Sequence, residues 1–460
     1  MVNDQSQRLD EHLSKLAALP LACHFEAYFY LRMLFSHNKI PILFFLLFGP
    51  FAIASSDLPS MSGVPTAEPE SVGMSSERLE KLDAVMQAYI DRNETAGVVT
   101  LVARKGKVVH FSALGMQDVE AGKPMKTDAI FRIDSMAKHI TSVALMILYE
   151  EGYFQLRDPV SKWLPEYGDM KVAIPVPEHE RLNGRYKLVP PNGPITIRQL
   201  LTHTAGLSNG RGITRPEYRK AMASFPLEET DYSRMMRLAK LPLNYHPGEA
   251  WDSSLGISVV GVLVEEMSGL TLYEFFQERI LKPLHMTDTH YFLPESKLPR
   301  FAANYGPDEN KKIHLIEAPD KNSRYFRGPR VQFRGAGGLV TTARDYFRFC
   351  QMMLNGGELD GVRILSRRTV ELMTVNHTGD LPINTGPGYG FGLSYPIVTD
   401  LGTAATPRSE GSYFGSGHGP IFWVDPKEEL IGIMMEQLFP YTQINIMKDM
   451  VSMTYQAVVD

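Results

Sequence analysis

Apolar residues recur at helical spacing over Ser75–Asp91, where Leu79, Leu82, Val85, Met86, Tyr89 and Ile90 share a face, and this predicts a helix. Two β-branched runs follow, Val98–Ala103 and Val108–Phe111, joined by Arg104-Lys105-Gly106-Lys107. Glycine in that short polar link predicts a hairpin. Near the other end, Ile421–Val424 and Leu430–Met435 read as strands around Asp425-Pro426-Lys427-Glu428, and a helical pattern closes the chain over Ile444–Val458. Helix–hairpin at the start thus mirrors hairpin–helix at the end. The economical reading is one antiparallel sheet built from both chain ends, with helices packed on it. Residues 156–330 read as helix and loop, with helices at Val259–Met267 and Leu272–Ile280; a further helix is predicted at Tyr346–Leu354. Pro175–Pro194, rich in Pro, Gly and charge, reads as an exposed excursion. The expected class is α/β (α+β) with a mostly helical insertion, and a cleft where the two parts meet.

The first residues have a different pattern. Ile40–Ile53 is an apolar run preceded by Lys39 and followed by Ala54-Ser55. Charge, apolar core and small residues in that order read as a secretory signal peptide. The run is short and interrupted by Pro and Gly, so no stable membrane span is expected. The expected organisation is residues 1–54 as extension and signal, with translation starting at Met33, and residues 55–460 as the mature periplasmic hydrolase domain. A cytoplasmic protein with an apolar extension is the alternative. Cys23 follows Pro20-Leu21-Ala22 without a long apolar segment before it, a poor lipid-anchor signal.

Composition narrows the function. The 460 residues are 44% hydrophobic and 22% charged, with a net charge of −5 and no long Lys/Arg run, which argues against nucleic acid as a partner. The two cysteines, Cys23 and Cys350, have no metal-ligand spacing to each other or to histidines. Cys350 lies in an apolar helical pattern and reads as a buried side chain. The 23 methionines read as adaptable core filler.

The candidate chemistry lies in Phe131–Val143. Asp134 is expected to cap a helix that continues through Val143–Leu148 and stops at Gly152. Ser135 then sits on the first turn, where free N–H groups favour a developing anion. Residues three apart share a helix face, so the Lys138 amine can approach the Ser135 hydroxyl. A serine needs a base to take its proton, and a desolvated lysine can serve. The bare Ser-x-x-Lys spacing arises by chance on the order of once in a chain this long. A surface helix start with a solvated lysine is therefore the competing reading, opposed by the apolar run behind Lys138.

Several segments, in order, resemble the serine β-lactamase and penicillin-binding protein superfamily, in particular class C β-lactamases and the esterases sharing their fold. They are Ser135-Met136-Ala137-Lys138, Asp158-Pro159-Val160 with Trp163-Leu164-Pro165, Arg198–Leu207, Pro247-Gly248-Glu249 through Ser268-Gly269, Gly335–Leu339 and Phe422–Pro426. The resemblance runs from Pro65 to the C-terminus. It implies an acyl-enzyme on Ser135, no cofactor or metal, and an ester, amide or short peptide as substrate.

Two departures matter. Relatives carry Tyr-Ser one residue after the tryptophan of Pro-Gly-x-x-Trp; here the text is Trp251-Asp252-Ser253-Ser254. Either Ser253 relays the proton in place of the tyrosine, or the site is impaired and the protein binds without turnover. Tyr245 is a further candidate for the missing hydroxyl. The third motif, Lys-Thr-Gly or Trp-Gly-Gly in relatives, falls at Phe414-Gly415-Ser416, followed by Gly417-His418. Ser416, Gly417 and His418 are the expected substrate and oxyanion residues, one backbone N–H from this strand completing an oxyanion hole with that of Ser135. No lysine is present there to hold a penicillin carboxylate, which argues against a dedicated lactamase. His418 reads as a substrate contact, an auxiliary acid or a hydrogen-bonded strand histidine; His203 reads as structural, and His139 points off the catalytic face. The overall pattern also resembles the serine peptidases of bacterial microcystin degradation, which act on a linearised cyclic peptide. The rival from another class is a non-catalytic receptor for a peptide or cell-wall fragment.

Overall fold

The structure is a computed structural model that describes residues 64–178 and 185–460. The apolar run at 40–53 and Cys23 lie outside the described residues. The chain begins with helix α1 (Ser76–Asp91), started by the Ser75 hydroxyl accepting from the Arg78 N–H. Strands β1 (Gly97–Arg104), β2 (Lys107–Asp118) and β3 (Lys123–Pro124) follow, and then helix α2 (Ala137–Glu150). After the central region come helix α3 (Gly256–Ser268), helix α4 (Ala343–Leu354), strands β4 (Tyr389–Phe391), β5 (Pro396–Val398), β6 (Tyr413–Ser416), β7 (Ile421–Asp425) and β8 (Leu430–Glu436), and helix α5 (Ile446–Tyr455).

These strands form one antiparallel sheet in the order β4-β5-β6-β7-β8-β1-β2-β3. The two ends of the chain meet at its centre, where β1 pairs with β8. This is the sheet and fold class expected from the sequence. Every residue of β1 is buried because both faces are covered. Val98 and Val102 point with Trp423 and Met434 into a layer closed by α1 and α5. Val99, Leu101 and Ala103 point with Phe422, Ile431 and Ile433 into the larger core that holds α2, α3 and α4. The alternation of a strand divides one β-branched run between two cores.

Two local readings change. The excursion at Pro175–Pro194 is entered through a two-stranded ribbon, Val172–Pro175 against Tyr186–Val189. The helix expected over Leu272–Ile280 is regular only to Phe276 and then widens by one residue per turn through Leu281. Cys350 is fully buried, and burial pushes its thiol well above the ordinary range. Among the described residues no single helix is long and apolar enough to cross a membrane.

The Trp423 indole lies across Gly432, its partner on β8, and a Cβ there would meet the ring at 2.1 Å. Gly432→Ala is therefore expected to lower stability by about 1–3 kcal/mol through overpacking. Urea denaturation followed by Trp fluorescence would measure it.

Candidate active site

Helix α2 buries all of its residues from His139 to Leu148. It packs against α3 on one side and joins the large core on the other. A single turn, Asp134–Met136, leads the chain into it. Asp134 takes φ of 33°, uncommon outside glycine, and this bends the backbone sharply just before Ser135. The expectation that Asp134 caps the helix is corrected. Its side chain makes no cap hydrogen bond, because other groups hold it. His418 Nδ1 lies 2.9 Å from its Oδ2, and Arg324 and the Tyr325 hydroxyl lie 3.5 Å from its Oδ1. Burial alone would raise the Asp134 pKa. The hydrogen bond from His418 and the charges of Arg324 and Arg132 outweigh it and bring the net value below the usual one.

Lys138 Nζ and Ser135 Oγ are 2.6 Å apart. Burial pushes the Lys138 pKa down to about 8, opposed by the negative charge of Asp134. The neighbouring imidazoles stay neutral. His139 is stacked on Tyr395 at 4.6 Å and set edge-on to Phe422, and His203 packs edge-on to Trp251 and Phe391 while its Nδ1 accepts from the Ser254 N–H. Burial, assisted by the charge of Lys138, holds both near pKa 3. Lys138 is thus the group of this cluster that titrates near neutrality.

Ser135 opens into a cleft of about 430 Å³. One wall is apolar, formed by Met222, Phe225, Met235, Leu238 and Leu255. Arg234, Asp231, Arg334, Asp134 and His418 supply its charged and polar lining. Strand β6 packs against the Asp134–Met136 turn. Its glycines permit the approach: a Cβ on Gly417 would meet the Ile133 carbonyl at 2.3 Å, and one on Gly415 would meet the His139 ring at 2.0 Å. The expected role of Gly417 as an oxyanion donor is corrected. Its N–H is spent on the Pro420 carbonyl at 2.7 Å. The alternation of the ladder turns the Ser416 N–H to the opposite edge of β6, which β5 leaves open beyond Tyr413. His418 lines the cleft, its Nδ1 held by Asp134 and its ring stacked on Phe439 at 4.0 Å.

Ser253 is placed differently. It lies in the loop before α3, its carbonyl accepts from the Asn209 amide, and its side chain is not among those lining the cleft. Tyr245 also stays outside, with its hydroxyl 3.4 Å from the His203 carbonyl. The hydroxyl that this segment does bring to the cleft is Ser258, on the first turn of α3. Ser258, Arg234, Asp231, Arg324 and Arg334 were not singled out from the sequence. Only the i, i+3 spacing of Leu255 and Ser258 hinted that they share a face.

The family profile described as Beta-lactamase matches residues 82–450. The chain belongs to the β-lactamase family. Protein Rv1367c of Mycobacterium tuberculosis is 33% identical over 374 residues, 79% of this chain and 90% of that protein. Esterase EstB of Burkholderia gladioli is 29% identical over 368 residues, 75% of this chain and 86% of EstB. Among solved structures, EstCE1, described as a hydrolase with promiscuous acyltransferase activity, aligns with TM-score 0.69 and 25% identity over 82% of this chain and 98% of its own. Relatives of this family include esterases and acyltransferases, which supports serine-hydrolase acyl-transfer chemistry in general.

The Asp134 carboxylate stabilises the Lys138 ammonium across the turn. Asp134→Asn removes that charge, so the Lys138 pKa is expected to fall below about 8. The pH of half-maximal fluorophosphonate labelling of Ser135 should move to lower values; an upward shift would contradict the assignment.

Proposed function

We propose that the protein is a serine hydrolase that cleaves an ester or amide bond of a small molecule or short peptide through an acyl-enzyme on Ser135. The observation that carries this is the 2.6 Å contact between the Ser135 hydroxyl and a lysine amine that burial has brought down to about pKa 8. A neutral Lys138 accepts the hydroxyl proton as Oγ attacks the carbonyl carbon. The oxyanion is received by the N–H of Ser135 and the edge N–H of Ser416. The Lys138 ammonium then returns a proton to the leaving alcohol or amine, and water releases the acyl group.

The proton relay is the part that differs from relatives. Ser258 and His418 line the cleft with Ser135, and the proposed relay runs through one of this pair. The cleft dimensions support substrates of modest size, including a segment of a linear peptide such as a linearised cyclic peptide presents. Secretion to the periplasm is proposed from residues 39–55 of the sequence alone.

A fluorophosphonate probe should label the intact protein and not Ser135→Ala. Equal labelling of both, or of neither, would sink the hydrolase reading and favour the receptor. Lys138→Met should reduce kcat/KM on a nitrophenyl ester by about 10²–10⁴-fold. In the unmodified protein kcat/KM should fall about tenfold per pH unit below about pH 8, because the base works only when deprotonated, and level off above it. A profile flat down to pH 6 would remove Lys138 as the base. Loss of rate in Ser258→Ala or His418→Gln, but not in Ser253→Ala, would locate the relay.

A further inference from the structure

The charged groups of the cleft are unevenly paired. Arg324 pairs with Asp134, and Arg234 faces Asp231 at 3.9 Å. Arg334 pairs with no carboxylate among the described residues; its guanidinium donates to Gln332 Oε1 at 3.1 Å. Its backbone is nevertheless fixed. The Tyr291 hydroxyl donates to the Arg334 carbonyl at 2.8 Å, and the Gly337 N–H closes a turn onto the same oxygen. Arg334 also lines a smaller recess that continues from the cleft past Gly338, toward Tyr325 and Arg324. Nearby, Asp231 Oδ2 and Arg234 Nε are buried without a hydrogen-bond partner among the described residues. Burial raises the Asp231 pKa against the opposing charges of Arg334 and Arg234, which share this one carboxylate. Three guanidiniums lie near one another, and burial with the positive charge of Arg324 and Arg234 lowers the Arg334 pKa against the opposing charge of Asp231. The fold gains nothing evident from this arrangement, whereas an incoming anion would relieve it.

We propose that Arg334 is a specificity residue that binds a carboxylate of the substrate, while the Met222, Phe225, Met235, Leu238 and Leu255 wall takes an apolar substituent of the same molecule. The inference rests on Ser135 being the acylated residue. It defines the substrate class as an amphiphilic ester or amide with a free carboxylate, such as an acidic or C-terminal residue of a short apolar peptide. The planar fork of the guanidinium matches a carboxylate in two parallel hydrogen bonds.

Two matched substrate pairs test it. In 4-nitrophenyl glutarate monoester against 4-nitrophenyl valerate, the carboxylate is in the acyl part. In an acetyl-phenylalanyl-lactate depsipeptide against its methyl ester, it is in the leaving group. The intact protein should prefer the carboxylate member of at least one pair by about 10–100-fold in kcat/KM. Arg334→Ala should collapse that ratio toward one, and Arg334→Lys should keep part of it. Fluorophosphonate labelling of Ser135 in each variant reports an assembled site. If the intact protein is labelled and turns over the neutral esters without preferring either carboxylate, this inference fails and the hydrolase reading stands. The inference also fails if a labelled Arg334→Ala protein keeps the full preference. If Ser135 is never labelled, the hydrolase reading fails and this one falls with it.

Discussion

The amine of Lys138 has little water around it, and the site depends on that. A solvated lysine would carry its proton through the neutral range and leave Ser135 inert. Here the amine emerges from the first turn of a helix whose remaining turns are buried, between the sheet, α3 and α4. Such burial needs a sheet covered on both faces and a second layer of helices beyond it, which is how the 64–460 region is organised. The same burial keeps His139 and His203 neutral, so the lysine has no adjacent cation to compete with for its low-dielectric setting.

Around that pair the cleft is assembled by close backbone approach and by long-range charge. Asp134 accepts an uncommon backbone conformation, and its carboxylate is drawn to His418 and Arg324. That network ties the nucleophile turn to β6 and to the segment around Arg324, so three remote parts of the chain are held in register at one place. Glycines at 415 and 417 let β6 come within contact of the helix and the turn. At the place where the resemblance expects a tyrosine the chain has Ser253, whose carbonyl accepts from the Asn209 amide. The hydroxyl and imidazole that do line the cleft beside Ser135 are those of Ser258 and His418.

The central strands were legible because short, continuous β-branched runs bounded by turn residues suit a strand covered on both faces. Helix α2 was legible for a similar reason, an apolar run with a lysine one turn in. Strands β4 and β5 were not, and β6 was expected only through the resemblance of its motif. Tyr389–Phe391, Pro396–Val398 and Tyr413–Ser416 are three or four residues long and rich in Gly and Pro, so only pairing with neighbours makes them strands. The widened turn at Gln277–Leu281 has no local signature either.

By itself the sequence determined the sheet built from both chain ends, the serine and lysine on one turn, and the absence of the family tyrosine and third-motif lysine. Each of these is written in residue types at short spacing. Tertiary structure decided the rest. Asp134 looks like a cap until His418, far along the chain, takes its carboxylate. Gly417 looks like an oxyanion donor until the Pro420 carbonyl takes its N–H. Ser253 occupies the expected place in the motif, yet Ser258 reaches the cleft. The setting of Arg334, with two guanidiniums and the shared Asp231 carboxylate near it, is a sum over side chains from distant segments. Hydrogen bonds and ion pairs are settled by which groups come within about 3–4 Å, and that competition is resolved only when the chain is folded.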